Sequence, residues 1–225
     1  MGASSVLQYI DQLVTQLRGK GAIGIEQYEV KLKNNTKNIA VLDDLFFEGR
    51  AALLFLTNGF KVTLRDSPDL KIELDNEVVY AEVKHFREKE QDRIDEKAMA
   101  KTRGLLVPIG DTTVTESSAV YEQIADVAIS KADQYVMNAP NILIIESSSD
   151  STSLNLSSAA HEYNDRVRKT NDPRLRRLNA LMLVNCCLYD FGKSGPYNTE
   201  FCLLAYMDTT MSRRLISTLL DIQLG

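Results

Sequence analysis

Apolar residues recur along the chain with two different periods, and the switches between them divide it into elements. Leu7, Ile10, Val14 and Leu17 lie three or four apart behind Ser4 and Ser5, which predicts an amphipathic helix over 4–18. Gly19, Gly21 and Gly24 break the chain, and the alternation in QYEVKLK predicts a short strand over 27–33. The segment 38–58 is apolar on most faces and stops at Asn58-Gly59, so it reads as a long helix buried against a sheet. Three strands follow as an antiparallel meander, 60–65, 70–74 and 78–84, the last two joined by a three-residue turn at Asp75-Asn76-Glu77.

Residues 85–103 are almost wholly charged and read as a solvated helix or arm ahead of a substrate lid, and 104–118 reads as loop. A second strong helix covers 118–137, with Val120, Ile124, Val127, Ala128, Ile129 and Tyr135 on its buried side. A very apolar strand, 141–146, follows Pro140. A serine-rich loop over 147–158, a basic segment over 159–179, strands over 180–189 and 200–207 and a short helix complete the chain. Helices alternating with strands predict an α/β protein with a mixed central β-sheet flanked by helices. One domain spans 1–225, its core at 38–146 and a C-terminal extension of strands at 147–225.

Composition narrows the class. A chain of 225 residues with 44% hydrophobic content can bury one sizeable core. No apolar run reaches the roughly 18 to 20 residues that span a bilayer, so no membrane partner is expected. Met1-Gly2-Ala3-Ser4-Ser5 lacks the cationic and apolar segments of a secretory leader. Cys186, Cys187 and Cys202 lie in apolar runs and read as reduced core thiols, which points to the cytoplasm. His85 and His161 are the two histidines, too few for a zinc site of His and Cys, so a metal would take oxygen ligands and be Mg²⁺ or Mn²⁺.

The formal net charge of −5 argues mildly against a protein that coats nucleic acid. Residues 161–177 reverse that sign, with Arg166, Arg168, Lys169, Arg174, Arg176 and Arg177 against three acidic residues. This cluster is either a solvated helix face or a phosphate-contacting surface.

The chemistry concentrates on the meander. Pro68-Asp69 precedes one strand and Glu82-Val83-Lys84 ends the next, with twelve residues between Asp69 and Glu82. Period two puts Tyr80, Glu82 and Lys84 on one face and turns Ala81 and Val83 to the core. An antiparallel hairpin brings the start of one strand beside the end of the next, so two acids and a lysine converge at one sheet corner. Such a set suits phosphodiester cleavage, in which a carboxylate-held divalent ion neutralises the phosphate and a lysine orients water. The tripeptide alone is weak, because acid-any-lysine occurs four times, at 29–31, 69–71, 82–84 and 95–97. Only the copy at 82–84 follows a Pro-Asp, a short hairpin and a helix that carries an acid, Glu48.

In these residues, Glu48, Pro68-Asp69 and Glu82-Val83-Lys84, the chain resembles the PD-(D/E)xK nuclease superfamily, over roughly half its length. The resemblance implies a restriction-endonuclease-like core and Mg²⁺- or Mn²⁺-dependent cleavage of DNA, less often RNA. It implies that Asp69 and Glu82 bind metal with the Val83 carbonyl, that Lys84 positions the attacking water, and that Glu48 helps through a second metal or a water. It offers Lys131 or Gln134 as auxiliary polar residues and a homodimer as a compatible assembly. The alternatives are an inactive nucleic-acid-binding or interaction module on the same fold, and an unrelated α/β protein. In that last case Asp69 is a turn residue and Glu82 with Lys84 a surface pair.

Overall fold

The computed structural model describes residues 3–86, 112–147, 156–186 and 197–222. Three helices come first, α1 (Ala3–Gly19), α2 (Ile25–Asn34) and α3 (Ile39–Thr57). They lead into β1 (Lys61–Leu64), β2 (Leu70–Leu74) and β3 (Glu77–Phe86). Then come α4 (Thr112–Ser130), β4 (Asn141–Ser147), α5 (Leu156–Thr170), a 3₁₀ turn at Leu175–Arg177, β5 (Leu178–Cys186), β6 (Tyr197–Leu203) and α6 (Arg213–Leu220). The six strands form one mixed sheet in sequence order, antiparallel except for the parallel pairs β3–β4 and β4–β5. The last two strands, expected as an extension, therefore continue the central sheet.

Alternation along the strands sorts the core into two halves. Val79, Ala81, Val83, Ile142 and Ile144 pack under α1, α2, α3 and α6. Leu143, Ile145, Leu181 and Leu183 pack under α4 and α5 on the other face. No described helix is long and apolar enough to cross a membrane.

The long helix is α3, capped at its start by the Asn38 side chain, which accepts from the Val41 N–H. Its end is fixed by Gly59 at φ +86°. The Phe60 N–H returns to the Phe55 carbonyl and the Gly59 N–H to Leu56, while the Phe55 and Phe60 rings meet edge-on at 5.4 Å. This is the Schellman stop with its apolar contact, and the left-handed residue is the one Asn58-Gly59 announced.

Several expectations need correction. Residues 27–33 are not a strand but part of α2. Ile25, Tyr28 and Leu32 are buried at i, i+3 and i+7, whereas Val30 is 56% exposed, so the alternation was incidental. The hairpin turn has two residues, Asp75 at φ +53° and Asn76, because Leu74 pairs with Glu77. Residues 112–118 are helix and not loop, and the second helix ends at Ser130, so Lys131–Gln134 form the turn that follows. The expected loop over 147–158 gives way at its ends to β4 and α5. The charged segment beyond Phe86 and the loop up to residue 111 lie outside the described residues.

Candidate functional site

β2 starts at Leu70, opposite Ala81, but β3 runs on to Phe86. Among the described residues, 82–86 therefore have no antiparallel strand neighbour on that side, and a notch opens where β2 ends. Asp69 fills it: its Oδ2 accepts from the Val83 N–H at 2.8 Å, in place of the missing ladder bond. The Asp69 carbonyl takes the Arg65 N–H at 2.9 Å, so main chain and side chain both fix this acid. The β1–β2 connection is tied down further by Lys31 of α2, which donates to the Arg65 carbonyl at 3.3 Å and pairs with Asp66 at 2.6 Å.

Glu82 projects from the α4 face of β3 and is 1% exposed. Its Oε2 receives the Lys131 ammonium at 2.9 Å, and among the described residues its Oε1, also buried, has no hydrogen-bond partner. A buried ionised carboxylate that is half satisfied is costly. Lys84, two residues along, has its ammonium 3.9 Å from Asp44 of α3 and not on Glu82. Glu48, one helical turn after Asp44, lies on the same helix and within electrostatic reach of Asp69, Asp44, Glu82 and Lys31.

The carboxylates feel one another. Burial, and then the charge of Asp69, pushes Glu48 up to about 8 and Glu82 up to about 7. Lys31 opposes the first shift and Lys131 the second. Burial also raises Asp69, against the Val83 N–H and the charges of Lys131, Lys31 and Lys84. Acids pushed together in this way, with three ammonium groups around them, make this corner a candidate functional site.

The residues present fit a hard divalent ion. Among the described residues, no three His, Cys, Asp or Glu side chains are gathered as a metal-holding cluster. Mg²⁺, however, is commonly bound by one or two carboxylates with waters completing its octahedron, so Asp69 and Glu82 suffice as donors. The buried Oε1 of Glu82, without a hydrogen-bond partner among the described residues, has its lone pairs free for such an ion.

The structure thus brings together Glu48, Asp69, Glu82, Val83, Lys84 and Lys131. Gln134 is exposed, three residues beyond Lys131 in the turn, and does not join them. Sequence reasoning missed Lys31 and Asp44. Lys31 was hidden by the misread strand, whereas the i, i+4 spacing of Asp44 and Glu48 on one helix could have found Asp44.

Half of the basic cluster, Arg166, Arg168 and Arg174, is paired with acids. Arg166 pairs with Glu162 and Asp126, and Arg174 with Asp172 and Asp133. Arg177 donates to the Tyr135 carbonyl at 3.4 Å and Arg176 to Asn171 at 3.2 Å. Arg168 lies over the Tyr206 ring, and Lys169 is exposed. His161 is exposed as well, and Cys202 is a free, half-buried thiol. His85 instead joins a second buried cluster on the α3 face. Its Nδ1 is 2.7 Å from Glu146 Oε2, and Arg50 of α3 holds both oxygens of Glu146 at 2.9 and 2.8 Å.

No model of a known protein family, no curated protein and no solved structure matches this chain.

Proposed function

We propose that the chain is a divalent-metal-dependent phosphodiesterase acting on nucleic acid, DNA ahead of RNA, with a restriction-endonuclease-like core. The observation that carries this reading is the notch beside β3. There Asp69 is fixed on the Val83 N–H, and Glu82 is buried with one oxygen unpartnered. The order of α3, an antiparallel meander, α4 and a strand parallel to β3 supports the same reading.

Asp69 and Glu82, with the Val83 carbonyl, would hold Mg²⁺ or Mn²⁺, which when bound supplies Lewis-acid neutralisation of the phosphate and a more acidic water. Lys84 orients the attacking water and offsets charge as it develops. Asp44 restrains the Lys84 ammonium from the α3 side. Glu48 accepts a hydrogen bond from that water while ionised.

The test is cleavage of supercoiled plasmid and of single-stranded DNA and RNA with Mg²⁺ or Mn²⁺. Lys84→Ala should lower the rate by about 10²- to 10⁴-fold, the usual worth of a positioned proton-transfer group, without lowering the melting temperature. Binding of these substrates without cleavage of any of them would instead support an inactive module on the same fold.

A further inference from the structure

The lysine that neutralises Glu82 is not the lysine of the Glu82-Val83-Lys84 tripeptide. Lys131 reaches in from the turn after α4 to Glu82 Oε2 at 2.9 Å, while Lys84 turns to Asp44. We propose that Lys131 is a resident counter-ion that competes with the divalent cation for Glu82, so that metal entry requires its ammonium to leave. This rests on the reading of Asp69 and Glu82 as metal donors.

Three features carry it. Glu82 is almost fully buried, and an ionised carboxylate there needs a cation of some kind. Its two oxygens are unequally served: Oε2 has Lys131, and among the described residues Oε1 has no hydrogen-bond partner, so the lysine leaves part of the demand unmet. A divalent ion held by Glu82 and Asp69 would supply the rest. Finally, Lys131 can leave. Its side chain is 24% exposed, and it sits just past the last turn of α4, where the carbonyl end of the helix dipole favours a cation. A long, flexible ammonium stem at such a place can swing to water without moving the helix.

Removing the ammonium should therefore tighten metal binding, even though Glu82 will also hold a proton more strongly. A unit positive charge repels a divalent ion twice as strongly as it repels a proton, so its loss favours the metal.

The experiment measures Mn²⁺ binding to the full chain at pH 8 from the electron paramagnetic resonance signal of the free ion, with no substrate present. Lys131→Met should bind Mn²⁺ tighter than wild type by about tenfold or more. Adding Glu82→Gln to Lys131→Met should abolish the gain. Lys131→Gln serves as a second variant should the methionine disturb packing, with the same expectation. Mn²⁺ affinity unchanged or weakened in Lys131→Met and Lys131→Gln overturns the proposal, as does a gain that survives Glu82→Gln. If wild type binds Mn²⁺ and these variants bind it no tighter, this inference falls and the nuclease reading stands. If they bind tighter and no form cleaves, the nuclease reading falls and this inference stands.

Discussion

Two buried glutamates sit on neighbouring strands of one sheet, and their surroundings are opposite. Glu146, at the end of β4 and 1% exposed, receives Arg50 on both oxygens and His85 on one. Phe47 lies against both partners, with the Arg50 guanidinium 5.8 Å and the His85 ring 6.4 Å from its ring centre. Glu82, on β3 and equally buried, has one ammonium on one oxygen, lesser help from the Asp69 main-chain N–H, and the charge of Asp69 against it. In the first arrangement both carboxylate oxygens are partnered, which ties α3 to the ends of β3 and β4. The second is incomplete, and the fold holds it open with Asp69 in the notch. Burial of a charge does not by itself mark a functional site; a buried carboxylate with an unserved oxygen calls for an explanation.

The largest test of this contrast is mutational. Glu146→Ala removes the acid that Arg50 and His85 share in the buried sheet face, and breaking a buried pair in this way typically costs about 3–5 kcal/mol. Glu82→Gln removes a charge that the native structure serves poorly, so at pH 8 it should leave metal-free stability unchanged or raise it. Denaturant unfolding of the two variants beside wild type measures both. Equal destabilisation by the two substitutions would erase the distinction.

Next comes pH. Glu48 and Glu82 ordinarily ionise near 4.5, but in the native chain they do so near 8 and near 7. Between these limits each is protonated when folded and ionised when unfolded, so the native state binds more protons and its stability falls as pH rises. The stabilising share of Glu82 is fully present below pH 4.5 and gone above about 7, and that of Glu48 is gone above about 8. The slope approaches about 1.4 kcal/mol per pH unit for each group. Metal-free protein should accordingly melt lower at pH 8 than at pH 5.5, and Glu82→Gln should flatten the trend. A flat wild-type profile would show the acids to be well served after all.

How much of this was legible in the sequence depends on how far apart the partners lie. The meander, the α3 stop at Gly59 and the convergence of Asp69 on Glu82 all follow from local period and hairpin geometry, and the structure contains each of them. α2 was not legible as a helix, because Tyr28, Val30 and Leu32 alternate as a strand would, and only the tertiary fold turns Val30 to water. Lys31 was lost with it. Arg50 and Glu146 are 96 residues apart, and no local pattern announces their pairing. The pairing within the arginine cluster was hidden for the same reason. Counting charge within 161–177 could not see Asp126 and Asp133, which come from the preceding helix and its following turn to answer Arg166 and Arg174.

The smallest expected effect discriminates most sharply between the two glutamates. If Glu82 and Asp69 bind Mg²⁺ in the native state alone, added metal stabilises by RT ln(1 + [Mg²⁺]/Kd), about 1.4 kcal/mol at ten times Kd. Thermal melts at pH 8 with and without Mg²⁺ should show that upward shift in wild type. They should show none in Glu82→Gln, which loses a charged donor. Glu146→Gln should retain it, since the Glu146 oxygens face Arg50 and His85 on the α3 side of the sheet, while Glu82 faces Lys131 on the α4 side. A shift lost equally in both variants would mean that the metal effect comes through general stability of the sheet and not through the notch. A shift kept in both would move the metal site away from Glu82 altogether, leaving its unmet oxygen without a role.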